Sequence, residues 1–281
     1  MNKLFSLFLM GIILPVVVTA AESDHVKLEI TRLDCGTIQF NNLNLFSDID
    51  AYIGQKKTLV VGCYLLRHGD EYMLWDAGLP ASLKGAELSG SEPMSSTVGK
   101  TIVEQLNELG VEKTKISIIA ISHYHFDHVG QLPDFPHAKI LIGGLDWEAV
   151  TSPDPGPFIS AEPFKSWIDS GAENVEQVYG DKDIFGDGKV IMLATPGHTP
   201  GHSSLLVRLA NKGAILITGD LAHFTANYKN DGVPIFNTDR ADTLASLQRF
   251  KGLARNNRAM VIIQHEAADI AKLPAFPGFA D

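Results

Sequence analysis

Cysteine is scarce in this chain: two residues, Cys35 and Cys63, among 281. At most one disulfide can form, so a hydrophobic core rather than a framework of bridges must supply stability. Both cysteines sit in apolar stretches that read as early strands. Two readings stay open, a bridge between neighbouring strands in an oxidising compartment or two buried thiols packed as small hydrophobes. Positive charge is also in short supply. Lys and Arg number 23 against 33 Asp and Glu, a formal net charge of -10. Such a surface repels nucleic acid on average, which argues against a nuclease. Long apolar runs are missing with one exception. Leu4 to Val18 is apolar but for Ser6, Gly11 and Pro15, and it falls short of the roughly 20 residues that span a bilayer.

That run follows Lys3 and ends in the small residues Val18-Thr19-Ala20, the pattern of a secretory signal. The reading is a signal peptide over 1–21 and a mature domain over 22–281, beginning near Ala21 or Glu22, with an uncleaved anchor as the alternative. Cys35 lies too far past the run to be a lipidated residue. An exported protein, periplasmic or secreted, is expected, with no membrane attachment after cleavage. At 45% hydrophobic, the remaining chain can bury a full core in one large domain.

Hydrophobic patterning predicts β-rich runs at Val26–Leu33, Thr58–Arg67 and Glu71–Trp75, which suggest an early antiparallel sheet. A helix is predicted over Thr97–Leu109, with Gly110 as its stop. Strands follow at Ile116–Ile121, Lys139–Ile142, Val190–Ala194, Ser203–Leu209, Ala214–Thr218 and Met260–Ile263. Helices are predicted at Leu145–Val150 and Ala241–Phe250. The alternation of strands and helices in both halves predicts an α/β fold of two packed sheets with helices outside. Ser152–Pro157 and Pro274–Gly278 read as loops. So does Gly85–Ser96, either a plain connection or a lid over a site.

The strand Ile116–Ile121 runs into Ser122-His123-Tyr124-His125-Phe126-Asp127-His128. Imidazole nitrogens and a carboxylate are natural ligands for zinc and similar ions, and one tight loop after a strand can turn several of them toward one point. Packed together without a metal, such groups would add nothing to a core. A second cluster follows Val190–Ala194, in Thr195-Pro196-Gly197-His198-Thr199-Pro200-Gly201-His202. Its Pro and Gly shape a rigid turn that presents His198, while His202 is expected to hydrogen-bond the loop rather than bind metal. Asp220 and His265 each follow a buried strand. Alone each is a turn residue or a satisfied polar group, but ligands at the ends of four strands can converge on one edge of a sandwich.

This ordered set, His-x-His-x-Asp-His at 123–128 followed by His198, Asp220 and His265, resembles the metallo-β-lactamase superfamily over nearly all of the mature chain. The resemblance implies an αβ/βα sandwich, two mixed sheets flanked by helices, with the site at the sheet edges. It implies that His123, His125 and His198 hold one divalent ion, that Asp127, His128 and His265 hold another, and that Asp220 bridges the two. Zinc is the default pair of ions, and iron, manganese or cobalt would suit the same nitrogen and oxygen ligands.

Within the superfamily the chain is most similar to the N-acyl homoserine lactonases. They share His-x-His-Phe-Asp-His, Thr-Pro-Gly-His-Thr-Pro-Gly-His and the Cys-Tyr-Leu-Leu of Cys63 to Leu66. True β-lactamases lack the bridging aspartate. Glyoxalase II enzymes carry an added helical region, whereas sixteen residues follow His265 here. Many lactonases place a tyrosine three residues after the bridging aspartate, where this chain has His223, a group able to donate the same hydrogen bond to a substrate carbonyl. The resemblance implies hydrolysis of an acyl homoserine lactone, a quorum-quenching reaction, by a hydroxide held between the metals. Asp127 would pass a proton to the leaving oxygen, and Phe126 would offer apolar wall to the acyl chain. The alternatives are a phosphotriesterase or arylesterase-like hydrolase with the same centre, and a metal-binding protein without turnover. The small-molecule substrate is the expected partner, and the sequence leaves room for a homodimer.

Overall fold

Strand residues that alternate between two apolar faces need partners on both sides, and this chain supplies them in four layers. The computed structural model describes residues 26–281, so the expected signal at 1–21 lies outside the described residues. Strands β1 (Leu28–Phe40), β2 (Lys57–His68) and β3 (Glu71–Trp75) form the expected antiparallel meander. Strand β4 (Met94–Thr97) pairs with the end of β1. Helix α1 (Ile102–Glu108), strand β5 (Ile116–Ala120), helix α2 (Phe126–Val129), strand β6 (Lys139–Gly143), helices α3 (Gly144–Val150) and α4 (Lys165–Asp169) and strand β7 (Val175–Val178) follow. Because β3, β5, β6 and β7 run parallel, they carry the sheet onward in the order β4-β1-β2-β3-β5-β6-β7.

The second sheet comprises β8 (Lys182–Asp183), β9 (Val190–Ala194), β10 (Ser203–Leu209), β11 (Gly213–Ile217) and β12 (Met260–Ile262), side by side in reverse chain order. β8 to β11 are antiparallel, and β12 joins β11 in parallel after a crossover through α5 (Thr225–Asn230) and α6 (Arg240–Asn256). A last short helix, α7 (Ala267–Ile270), follows β12. This is the αβ/βα sandwich expected, two mixed sheets flanked by helices. Among the described residues no helix is long and apolar enough to cross a membrane.

Period-two alternation places the core. Tyr64, Leu66, Met73 and Trp75 meet Met192, Leu205, Val207 and Ile217 between the sheets. Their neighbours Leu65 and Leu74 face the other way, against Ile102 and Leu106 of α1 and Trp147 of α3. Likewise Leu206 and Leu216 pack on Leu247 and Phe250 of α6. The predicted start of α1 shifts for a local reason. α1 starts at Ile102 rather than Thr97 because Thr101 caps it in a capping box with Glu104, while Met94–Thr97 is claimed by the edge of β1. Strands β7 and β8 and helices α4, α5 and α7 were not predicted, and all are six residues or shorter.

Cys35 and Cys63 are bonded to each other, fully buried, with Cα atoms 5.8 Å apart. The bridge joins β1 to β2, which resolves the two readings of these residues in favour of pairing. It closes a span of 28 residues, for which loop entropy gives about 3–4 kcal/mol of stabilisation. Replacing both cysteines by alanine is therefore expected to lower the unfolding free energy by about that amount, measured by urea titration with and without reductant.

Candidate metal centre

All four strand ends predicted to carry chemistry open on one edge of the sandwich. β5 stops at Ala120, and the next residues are drawn inward because Ser122 donates its backbone N–H to Asp76 at 2.7 Å. His125 then starts the short helix α2, whose single turn sets Asp127 and His128 beside each other. On the opposite sheet the turn after β9 presents His198. Gly197 is needed there, since its φ is +131° and a Cβ would run into the backbone of Thr243. After β11, Gly219 has φ +56° and would bring a Cβ within 2.7 Å of His202, so glycine permits the kink that turns Asp220 into the site.

The structure brings the seven predicted ligands together in two groups. His123 Nε2, His125 Nδ1 and His198 Nε2 form a triangle with sides of 2.9, 2.9 and 3.1 Å. Asp220 Oδ2 stands 3.4 Å from His198 Nε2 and 3.7 Å from His123 Nε2. Its other oxygen, Oδ1, lies 2.8 Å from His265 Nε2 and 3.2 Å from His128 Nε2, which are 3.3 Å from each other. Asp127 Oδ2 completes the second group at 3.6 Å from both imidazoles. Donors held about 2.0–2.1 Å from a tetrahedral ion stand roughly 3.3 Å apart, so each group matches the spacing of a coordination shell. Asp220 turns one oxygen to each.

Outer hydrogen bonds settle which ring nitrogens face inward as lone pairs. His128 Nδ1 lies 2.8 Å from Asp76 Oδ2, His198 Nδ1 lies 2.9 Å from Asn237 Oδ1, and His265 Nδ1 lies 2.8 Å from the Val60 carbonyl. Each of these partners accepts, so each Nδ1 carries the proton and each Nε2 is left as an acceptor without a donor from the chain. Electrostatics tell the same story. Burial keeps His123 and His198 neutral well below the ordinary histidine range and pulls His125 down to about 4. Burial also opposes charge on His128, but Asp220, Asp127 and Asp76 together outweigh it and push this imidazole well up. The carboxylates therefore call for positive charge at the second group, and a divalent cation meets that demand while keeping the imidazoles neutral.

His202 stays outside both groups. Its Nδ1 is 2.9 Å from the Thr195 carbonyl, and its Nε2 accepts the Asp220 backbone N–H at 2.9 Å. It therefore fixes the loop, as the sequence reading had it. His223 is buried, edge-on to Phe46 with ring centres 4.8 Å apart. Its Nε2 lies 3.0 Å from Asp220 Oδ2 but is out of line for a hydrogen bond, and neither ring nitrogen has a partner. Phe126 is partly exposed and faces a cleft of about 670 Å³ whose floor is formed by His125, Asp127, Asp220, His223 and His265.

Four positioning residues escaped the sequence reading, Asn237 behind His198 and three more. Asp76 is fully buried and accepts from Ser122 N, Ser122 Oγ, His128 Nδ1 and Gln264 Nε2 at 2.6–2.9 Å. Gln264 also donates to the Gly62 carbonyl, tying the loop after β12 to β2. Asp146, buried in the first turn of α3, accepts from Thr199 Oγ1 at 2.8 Å and Gly201 N at 2.6 Å, with a further bond from the Tyr124 backbone. It clamps the His198 turn to the His123–His125 loop. Burial outweighs these donated bonds and pushes its carboxyl up to about 7. The folded state then binds a proton that the unfolded chain has released, so this group's contribution to stability falls as pH rises from about 4 through about 7. Asp146→Asn is expected to flatten that part of the profile, read as urea midpoints of both proteins from pH 4 to 8.

The family model of the metallo-beta-lactamase superfamily matches residues 58–265. An N-acyl homoserine lactonase AttM of Azorhizobium caulinodans is 31% identical over 185 residues, 64% of this chain and 69% of that protein. An N-acyl homoserine lactonase of a Bacillus species is 30% identical over 233 residues, 80% of this chain and 89% of that one. A solved structure of a quorum-quenching N-acyl homoserine lactone hydrolase superposes with a TM-score of 0.76 at 25% identity, covering 90% of this chain and 98% of its own. The chain belongs to the metallo-β-lactamase superfamily, with relatives in it that are named N-acyl homoserine lactonases.

Proposed function

We propose that this protein is a dinuclear metal-dependent hydrolase that opens the lactone ring of N-acyl homoserine lactones, a quorum-quenching activity, with zinc as its metal. The observation that carries the reading is Asp220, whose two oxygens face two separate histidine groups at the floor of an otherwise apolar cleft. The names of the relatives at 30–31% identity support the substrate class. His123, His125 and His198 would hold one ion, Asp127, His128 and His265 the other, and Asp220 both. When bound there, divalent ions would supply Lewis acidity that lowers the pKa of a coordinated water toward about 7 and so makes a nucleophile available near neutral pH.

The chain's own groups do the rest. The His223 ring, unpartnered and facing the cleft, donates a hydrogen bond to the carbonyl oxygen as negative charge develops there. Asp127 takes the proton of the attacking water and returns it to the ring oxygen as the carbon–oxygen bond breaks, leaving an open-chain N-acyl homoserine. Phe126 covers the near end of the acyl chain. Export by the 1–21 leader completes the proposal, and the buried Cys35–Cys63 bridge supports an oxidising destination.

Parallel kinetics on an acyl homoserine lactone and an aryl phosphotriester test the reading. The lactone is expected to be preferred by several orders in kcat/KM. A phosphotriester preference of that size would replace the proposal with the other hydrolase, and turnover of neither substrate by protein loaded with two ions would favour a binding role.

A further inference from the structure

Glu266 directly follows His265 and precedes helix α7, yet its side chain makes no capping bond to that helix. Instead one carboxylate oxygen, Oε2, accepts the backbone N–H of Thr225 at 3.1 Å and the Thr225 hydroxyl at 3.2 Å. Thr225 opens α5, where the first backbone N–H has no partner inside the helix and the preceding residue, Phe224, offers no side-chain cap. Hydrogen bonds to an ionised carboxylate are the stronger kind, and the Glu266 side chain is only 16% exposed. Its own backbone is fixed, because its N–H donates to the Ile263 carbonyl and its carbonyl accepts from Asp269 and Ile270. Lys57 joins the same junction, with Nζ 3.6 Å from Oε2 and 5.6 Å from the centre of the Phe224 ring.

The tie matters because of the residue beside it. His223 sits two residues before Thr225, between the extended backbone of Ala222 (φ -151°, ψ 131°) and of Phe224 (φ -155°, ψ 169°). Neither of its ring nitrogens is held by a hydrogen bond. The ring is therefore placed by its backbone and by the rings around it, Phe46 at 4.8 Å, His198 at 5.1 Å and Phe236 at 5.7 Å between centres. On the Asp220 side the Thr218 hydroxyl donates to the Ala222 carbonyl at 3.3 Å. On the other side the tie is Glu266. His223 Nε2 already stands 3.0 Å from Asp220 Oδ2, out of line for a hydrogen bond. A small turn of a loosened segment would align the two, and a donor engaged by Asp220 is withdrawn from the substrate. We infer that Glu266 is a positioning residue for His223, holding Thr225 so that the imidazole faces the cleft instead of Asp220. The inference rests on the role given to His223 in the lactonase reading above and deepens it by naming what aims the donor. Because that bond strengthens only as charge develops on the carbonyl oxygen, loss of aim falls in kcat rather than KM.

The experiment is a double-mutant cycle on the metal-loaded enzyme with hexanoyl homoserine lactone, using Glu266→Ala, His223→Ala and both together. Elemental analysis reads the metal content, and amide hydrogen exchange reads the segment around Thr225. Glu266→Ala is expected to lower kcat about tenfold with KM within about twofold, to keep two ions per chain and to speed exchange of that segment. His223→Ala is expected to lower kcat about 100-fold, the worth of one such donor. In that background the loss of Glu266 is expected to cost less than about twofold more, because the two residues act as one unit. Glu266→Gln keeps an acceptor oxygen for Thr225 and is expected to bring kcat back to within about threefold of native. Thr225→Val removes the hydroxyl half of the contact, is expected to lower kcat about threefold, and carries the test if Glu266→Ala does not fold. Effects of Glu266 and His223 that multiply, an ion lost from Glu266→Ala, or unchanged kcat or exchange in that variant would each overturn the inference and leave the lactonase reading standing. A His223→Ala enzyme with native kcat would overturn the role given to that histidine and this inference with it. Absence of lactone hydrolysis by the native protein would overturn the lactonase reading and the inference together.

Discussion

Asp220→Asn is expected to reduce hydrolysis by about a thousandfold and to halve the bound metal, from two ions per chain toward one. The carboxylate is the one group that presents an oxygen to each histidine triangle or pair, at 3.4 Å from His198 Nε2 and 2.8 Å from His265 Nε2. Three histidines besides these, His123, His128 and His223, lie around it, and His265, His223, His128 and His123 together hold its carboxyl well below the usual range despite burial. An amide keeps the shape but offers one neutral oxygen, so one of the two groups loses its anionic member. His123, His125 and His198 would then form a neutral set, while Asp127 still gives His128 and His265 one negative partner. Loss of an ion that polarises a reacting carbonyl removes several kcal/mol of transition-state stabilisation, which is the origin of the factor of about a thousand. Elemental analysis beside kinetics checks it. Two ions retained with full activity would mean that Asp220 is a hydrogen-bonded spectator.

The residues that meet at the candidate site were legible because they obey a simple rule: a polar residue placed directly after an apolar strand points into the rim of the sheet. That rule located His123, His198, Asp220 and His265. It applies equally to Asp76, which follows Trp75 at the end of β3 and precedes Ala77-Gly78, but Asp76 stands alone in sequence without a histidine beside it. Nothing in spacing marks a residue whose work is to hold another side chain. Asp146 and Asn237 share that difficulty, since their partners lie 53 and 39 positions away. The pairing of Cys35 with Cys63 also depended on geometry, and the register that sets Leu33 opposite Cys63 supplied it. Long strands and α6 declared themselves through period, whereas α4, α5 and α7 are too short for periodicity to accumulate. Within the Gly85–Ser96 loop, Met94 reads as an isolated apolar residue until β4 places it on the cleft wall.

Asp76→Asn offers the sharper test of how the centre is built, because it alters none of the seven residues proposed to hold metal. In the native protein the buried carboxylate accepts four hydrogen bonds, and one of them, from His128 Nδ1, keeps the inward Nε2 as a bare lone pair. Asparagine has one acceptor oxygen and one donor NH₂. If its oxygen keeps Ser122, its NH₂ meets both His128 Nδ1 and Gln264 Nε2, donor against donor. The imidazole relieves that conflict by moving its proton to Nε2, where it occupies the position a metal needs. Metal affinity at the group of Asp127, His128 and His265 is expected to fall by about 10- to 100-fold, while the group of His123, His125 and His198 keeps its ion. Competition with a chromophoric chelator separates the two affinities. Asp76→Ala goes further, leaving the buried donors without any acceptor, and is expected to cost about 3–5 kcal/mol of folding stability as well. A variant with asparagine that binds both ions as tightly as the native protein would show that His128 does not need an anion behind it, and that the proton on Nδ1 is set by the metal rather than by Asp76.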